Sequence, residues 1–148
     1  MNPRAASERR AANRALMAEM LRRLGTQQWE PACALLSEDV LCDWPYRPLA
    51  SLPSELRGRE TLRAFFERGM SAFEPYRYEI TQVYELSDPD ALIAEYRSSS
   101  RLLASRARYQ NAYLGIFRFR NGEICYWREY LDPQRVAEVM ATIGGAKP

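Results

Sequence analysis

The sequence predicts an α+β fold in which helices come first, a meandering antiparallel sheet follows, and one helix closes the chain. Three observations carry this. Apolar residues recur at helical spacing as far as Phe73, then at every second position from Tyr76 to Leu131. Asn121-Gly122 separates two alternating runs and is the strongest hairpin signal, because both residues tolerate the positive φ of a type I′ turn. Asp132-Pro133 then supplies an N-cap and a first-turn proline for a last helix. Helices segregated in this way cover one face of the sheet.

The first helix is expected over residues 13–24, with Leu16, Met17, Met20, Leu21 and Leu24 on one stripe and Gly25 ending it. Residues 1–12, where Arg4, Arg9 and Arg10 lie, read as a solvated tail. A short second helix carries Trp29, Cys33 and Leu36 inward, with Pro31 in its first turn. A strand follows over 40–44. The segment 45–53 holds three prolines and reads as a loop, a lid over the domain. Leu62, Phe65, Phe66, Gly69, Met70 and Phe73 have the spacing of a helix with one buried face. Strands are then expected over 76–86, 91–103, 108–120 and 123–131, with Ser87-Asp88-Pro89-Asp90 as a turn. Val136, Val139, Met140 and Ile143 stripe the last helix. The division is one domain over 13–143, with tails at 1–12 and 144–148.

Composition narrows the function. A chain of 148 residues supports one domain with one real core. Hydrophobic residues make up 47% and charged residues 27%, the balance of a globular rather than a disordered chain. The net charge of +2 gives no argument for nucleic acid. No apolar run approaches a membrane span and the N-terminus carries no apolar leader, so a cytoplasmic protein without a membrane partner is expected. Cys33, Cys42 and Cys125 are odd in number and far apart, which suits reduced core cysteines rather than disulfides or a zinc site. Histidine is absent. That excludes Ser-His and Cys-His nucleophiles and histidine-ligated metals, and leaves proton chemistry to carboxylates, tyrosines and lysine. No metal is expected. With neither a GxGxxG nor a Walker loop, no cofactor is expected either.

Alternation assigns faces. In 108–120, Tyr109, Asn111, Tyr113, Gly115, Phe117 and Phe119 share the side assigned to the concave, helix-covered face. Leu114 and Ile116 then lie outside, where so much apolar area points to a homodimer. In 123–131, Cys125, Trp127, Glu129 and Leu131 share a face. A carboxylate there is costly unless it is protonated or paired. Glu129 is therefore the leading candidate for acid–base catalysis, or else one end of a buried ion pair with Arg97 or Arg47. Asp43 is a second catalytic candidate or an ordinary turn carboxylate. Arg97 is an orienting cation or a surface arginine. Tyr109, Asn111 and Tyr113 offer hydrogen bonds to a substrate or satisfy one another in the core. Trp44 and Trp127 offer walls for a flat apolar ligand. Met20 and Phe66 complete the expected substrate-binding set, although the stripe containing Phe66 equally serves as core.

The run Leu114-Gly115-Ile116-Phe117-Arg118-Phe119-Arg120-Asn121-Gly122-Glu123-Ile124, followed by Trp127-Arg128-Glu129-Tyr130-Leu131-Asp132, resembles the last hairpin of the SnoaL-like polyketide cyclases. These belong to the nuclear-transport-factor-2-like, or ketosteroid-isomerase-like, superfamily. Arg57-Gly58-Arg59-Glu60 resembles the same superfamily. In element order the resemblance covers about residues 13–140. It implies a cone-shaped domain: helices over a strongly bent sheet, with a pocket opening at one end.

Branches of the superfamily differ in their pocket residues. The tyrosine of the ketosteroid isomerases falls on Met20, their oxyanion acid on Gly115, and their base on Trp44 or, with a slipped register, Asp43. Steroid isomerisation by that mechanism is therefore not expected. The limonene-epoxide-hydrolase branch has a water-activating carboxylate in the context of Trp127-Arg128-Glu129-Tyr130. Its arginine and second acid fall nearest Arg97 and Ser99, after a one-residue shift, and its tyrosine and asparagine on Leu41 and Asp43. Phenazine-biosynthesis proteins carry a functional glutamate in the same context as Glu129, together with a histidine this chain lacks. The resemblance thus implies a cofactor-independent acid–base enzyme, of cyclase, isomerase or hydratase type, acting on a small apolar or polyketide-like molecule. The alternatives are an epoxide hydrolase in which Glu129 activates water, and a non-catalytic binding or accessory dimer.

Overall fold

In the computed structural model, which describes residues 1–143, the first helix begins far ahead of its apolar stripe. Helix α1 spans Pro3–Gly25, and the Asn2 side chain caps it by accepting the Ala5 N–H at 2.7 Å. The stretch read as a solvated tail is therefore helical from Pro3. Its arginines have partners that are distant in sequence. Arg9 pairs with Asp90 at 2.9 Å, and Arg10 donates to the carbonyls of Leu86 and Ser87. Asn13 donates to the Pro89 carbonyl. Together they clamp one turn of the sheet, which no local pattern reveals. The tail expected at 144–148 lies outside the described residues.

Then come α2 (Trp29–Cys33), β1 (Leu36–Asp43), β2 (Glu55–Arg57), α3 (Arg59–Met70), β3 (Arg77–Glu85), β4 (Ala91–Arg101), β5 (Arg108–Arg120), β6 (Glu123–Leu131) and α4 (Pro133–Ala141). Leu36 opens a strand instead of ending α2. The sheet is six-stranded, curved and unclosed, in the order β2-β1-β6-β5-β4-β3. From β3 to β6 it is the expected antiparallel meander. At its other end β1 runs parallel to β6, so the sheet is mixed. Strand β2, at three residues, is too short to show any alternation. No described helix is long and apolar enough to cross a membrane.

Asn121 and Gly122 both take positive φ, 53° and 75°, as the hairpin requires. Alternation holds along all of β5, with Tyr109, Asn111, Tyr113, Gly115, Phe117 and Phe119 buried. In β6 a bulge opposite Arg118/Phe119 shifts the register. Ile124 is therefore buried, while Cys125 turns outward toward the Arg118 carbonyl, against the face expected for it. The core lies between the concave face and the helices. Met17, Met20, Leu21 and Leu24 of α1 and Leu62 and Phe66 of α3 pack with Ala94, Tyr96, Phe117 and Trp127 of the sheet.

Candidate active site

A cavity of about 220 Å³ opens between the concave face, α3, α4 and the proline-rich loop. Pro48, Leu49, Leu52 and Pro53 line it from the loop, as a lid would, and Val136 and Met140 line it from α4. The volume is below the roughly 300–1,000 Å³ typical of drug-sized sites, which favours a compact ligand.

The β6 register brings Glu129 to this cavity. Glu129 stands opposite Gly115, which stands opposite Ala94. Glu129 is 7% exposed and lines the cavity. Oε1 accepts the Trp44 Nε1–H at 3.3 Å, and Oε2 accepts the Tyr96 hydroxyl. Behind them, Trp127 Nε1–H donates to the Tyr96 hydroxyl oxygen at 3.2 Å. A line of donors thus runs from the core to the carboxylate, and each makes the next a better donor.

This line depends on a missing side chain. A Cβ on Gly115 would lie 2.9 Å from Tyr96 Cε1 and 2.6 Å from Phe117 Cε2. Glycine at 115 lets the Tyr96 ring cross the strand and reach Glu129.

Burial pushes the Glu129 carboxyl up to about 7, and the hydrogen bonds from Tyr96 and Trp44 hold it from rising further. Tyr96 is pushed well above the usual phenol range, by burial first and by the facing carboxylate second. Glu129 therefore changes charge near neutrality, where a group that both takes and gives protons is most effective.

Of the residues expected at the site, Trp44, Phe66, Tyr109, Tyr113 and Glu129 line this one cavity. Trp127 lies behind it, stacked between Phe66 and Phe117. Met20 is buried in the core under α1 and does not reach the cavity lining. Asn111 is occupied elsewhere. It donates to the Tyr109 hydroxyl and to the Asp132 carbonyl, and accepts the Asp132 N–H at 3.0 Å, pinning the corner before α4.

Asp43 and Arg97 are placed differently from expectation. On β1 the side chains of Cys42 and Trp44 point inward, so Asp43 points out. There Arg128 binds it through two bonds of 2.9 Å, and the Tyr126 hydroxyl adds a third contact. Asp43 cannot share the cavity with Glu129. Arg97 is exposed on the outer face, where it lines an open polar depression of about 530 Å³ with Arg77 and Glu79. Arg47 is also exposed and donates to the Ala50 carbonyl. The expected ion pair is thus replaced by a neutral phenol, Tyr96.

Sequence reasoning missed Tyr96, although a signal was present. Leu92, Ala94, Tyr96 and Ser98 alternate with Ile93, Glu95, Arg97 and Ser99, and the charged members belong outside. Tyr96 and Ser98 therefore hold the inward positions, and Arg97 and Ser99, matched to the arginine and second acid of the epoxide-hydrolase branch, belong to the other face. Tyr76, Tyr78, Phe65 and Phe73 also line the cavity unforeseen.

Known proteins share this architecture. A PhzA/B-like protein of Pseudomonas aeruginosa, itself uncharacterised, is 27% identical over 114 residues, 77% of this chain and 79% of the relative. The fold matches a phenazine biosynthesis-related protein from P. aeruginosa with a TM-score of 0.78, at 20% identity over 95% of this chain and 92% of that one. It also matches an LEH-like epoxide hydrolase of M. tuberculosis with a TM-score of 0.67, at 16% identity over 93% and 98%. These identities speak for a common fold and leave the reaction open. The SnoaL-like domain family matches residues 17–127, from the first buried methionine of α1 to the tryptophan behind Tyr96, and the chain belongs to that family.

Proposed function

We propose that the protein is a cofactor-independent acid–base enzyme, of cyclase, isomerase or hydratase type, that moves a proton on a small, largely apolar molecule held in the cavity. Glu129 takes the proton as a carboxylate and returns it as a carboxylic acid. One observation carries the reading: among the described residues a single carboxyl lines the cavity, held by neutral donors, with burial raising it to about 7. Tyr96, backed by Trp127, fixes Oε2 and with it the direction of the acid. The Tyr109 and Tyr113 side chains line the wall, their hydroxyls held by Asn111 and Ser98.

The test is proton exchange and turnover on a panel of enolisable ketones and epoxides, with Glu129→Gln as control. Loss of about 10²–10⁴-fold with an unchanged circular dichroism spectrum is the expected result. Equal rates in the two proteins reject the assignment. Opening of an epoxide would favour water activation by Glu129. A cavity that binds panel members without turnover would favour a non-catalytic binding protein.

The outer face supports a symmetric dimer. Ile93, Leu114, Ile116 and Tyr130 lie side by side there and are only half-buried in the single chain. Sedimentation at micromolar concentration tests this, and a monomer would contradict it.

A further inference from the structure

The cavity walls around Glu129 are aromatic. Trp44, Phe65, Phe66, Phe73, Tyr78 and Tyr113 contribute rings. Neighbouring rings are tilted against each other: 42° between Trp44 and Phe65, 71° between Trp44 and Phe66, and 61° between Tyr78 and Tyr113. They turn around the space instead of forming one flat stack. Among the described residues, no lysine or arginine lines this cavity. The arginines on the neighbouring strands, Arg97 and Arg128, are on the outer face.

Three kinds of ligand can be weighed against that lining. An anion would meet a carboxylate with no counter-charge and is disfavoured. A neutral molecule would gain from the apolar walls but would leave the ionised carboxylate with its two hydrogen bonds and no counter-charge. A cation meets both features at once. Its N⁺–H groups donate to the carboxylate, and the ring faces attract its charge.

We propose that the ligand of this cavity is a compact organic cation, an apolar amine in its ammonium form, whose charge pairs with Glu129 and whose hydrocarbon part lies against the rings. The proposal rests on the reading of Glu129 as the ionisable group of the cavity and adds the class of molecule it takes. An ammonium has up to three donors. Glu129 accepts one; the hydroxyls of Tyr109 and Tyr113 are held by Asn111 at 2.9 Å and by Ser98 at 2.6 Å, so the pairing with Glu129 and the ring walls carry the recognition. The cavity volume, about 220 Å³, suits a one-ring amine.

The other titratable groups around Glu129 are the phenols of Tyr76 and Tyr78 on and before β3, Tyr96 on β4, and Tyr109 and Tyr113 on β5, together with the Cys42 thiol on β1. Burial pushes all of them upward. Asp43 and Arg128 pair with each other outside. Between mildly acidic and mildly alkaline pH, the charge that changes inside the cavity is therefore that of Glu129.

Isothermal titration of the full chain with benzylamine and with benzyl alcohol, which has nearly the same shape, tests the proposal. Above pH 7 benzylamine is expected to bind about tenfold or more tightly than the alcohol. That preference should shrink severalfold when the pH is lowered to well below 7, and should vanish in Glu129→Gln. Equal binding of the two ligands, a preference that survives in Glu129→Gln, or no binding of either at millimolar concentration overturns it. The wild-type pH series keeps the test decisive even if the variant folds poorly. Turnover judges the proton-transfer reading separately. Catalysis without amine preference removes only the ligand class, whereas equal exchange by wild type and Glu129→Gln removes the reading beneath it.

Discussion

Gly115 and Tyr96 exclude each other's bulk: the place where a Cβ would stand on Gly115 is 3.0 Å from the Tyr96 hydroxyl oxygen. Gly115→Ala must therefore displace both the phenol that holds Glu129 and the Phe117 ring beside it. The expected cost is about 1–3 kcal/mol, the usual range for overpacking a core. Urea unfolding measures it, and a variant as stable as the wild type would show that the two rings yield freely.

Tyr96→Phe removes the donor to Glu129 and leaves the Trp127 N–H without its acceptor. A carboxylate that loses a hydrogen bond becomes easier to protonate. The Glu129 titration is therefore expected to move above about 7, followed by ¹³C NMR of labelled glutamate. The unpaired indole N–H adds a stability loss of about 1–3 kcal/mol. An unmoved titration would mean that the phenol does not govern the acid.

Stability should depend on pH through the same group. Glu129 titrates near 7 when folded, against an ordinary value of 4.5, so between these values the folded state binds the proton that the unfolded state releases. Stability is thus highest below the lower value and falls as the pH rises through the upper one, by on the order of 3 kcal/mol. Glu129→Gln removes that loss. It is expected to be more stable than the wild type at pH 8 and to lose most of this advantage by pH 5, in chemical unfolding at the two pH values. A constant difference would contradict the assignment.

Asp43→Asn should separate the two carboxylates. Asp43 is bound to Arg128 on the far side of the sheet. Its loss is expected to cost about 1 kcal/mol, as for a partly exposed ion pair, and to leave the Glu129 titration in place. A shift of that titration in the same NMR experiment would show coupling through the sheet.

The sequence was legible where a local rule governed and misleading where a distant contact did. The alternation of β5 and the Asn121-Gly122 turn follow from local chemistry, and both stand in the structure as read. Glu129 was placed on its correct face because Trp127 and Leu131 alternate with it. Cys125 lies on the other face because it is itself the extra residue of a bulge, between Ile124 and Tyr126, which reverses the parity and leaves no composition signal. Arg97 was drawn inward by matching a motif after a one-residue shift, which in a strand exchanges every inward side chain for an outward one. Plain alternation through Ala94, Tyr96 and Ser98 would have found the phenol instead. The parallel β1 and the ordered start of α1 depend on partners far along the chain, Tyr126 and Trp127 for the one and Asp90 for the other.

Because the sheet does not close, β3 ends it with one long side available for pairing with another chain. Such an edge is a seed for uncontrolled growth when it is straight and apolar. Here the strand bulges between Ile80 and Gln82, and Arg77 and Glu79 project from it into solvent. A kinked edge that carries both signs of charge makes a poor template. The chain can therefore remain dispersed at concentrations where a flat hydrophobic border would draw copies into fibres.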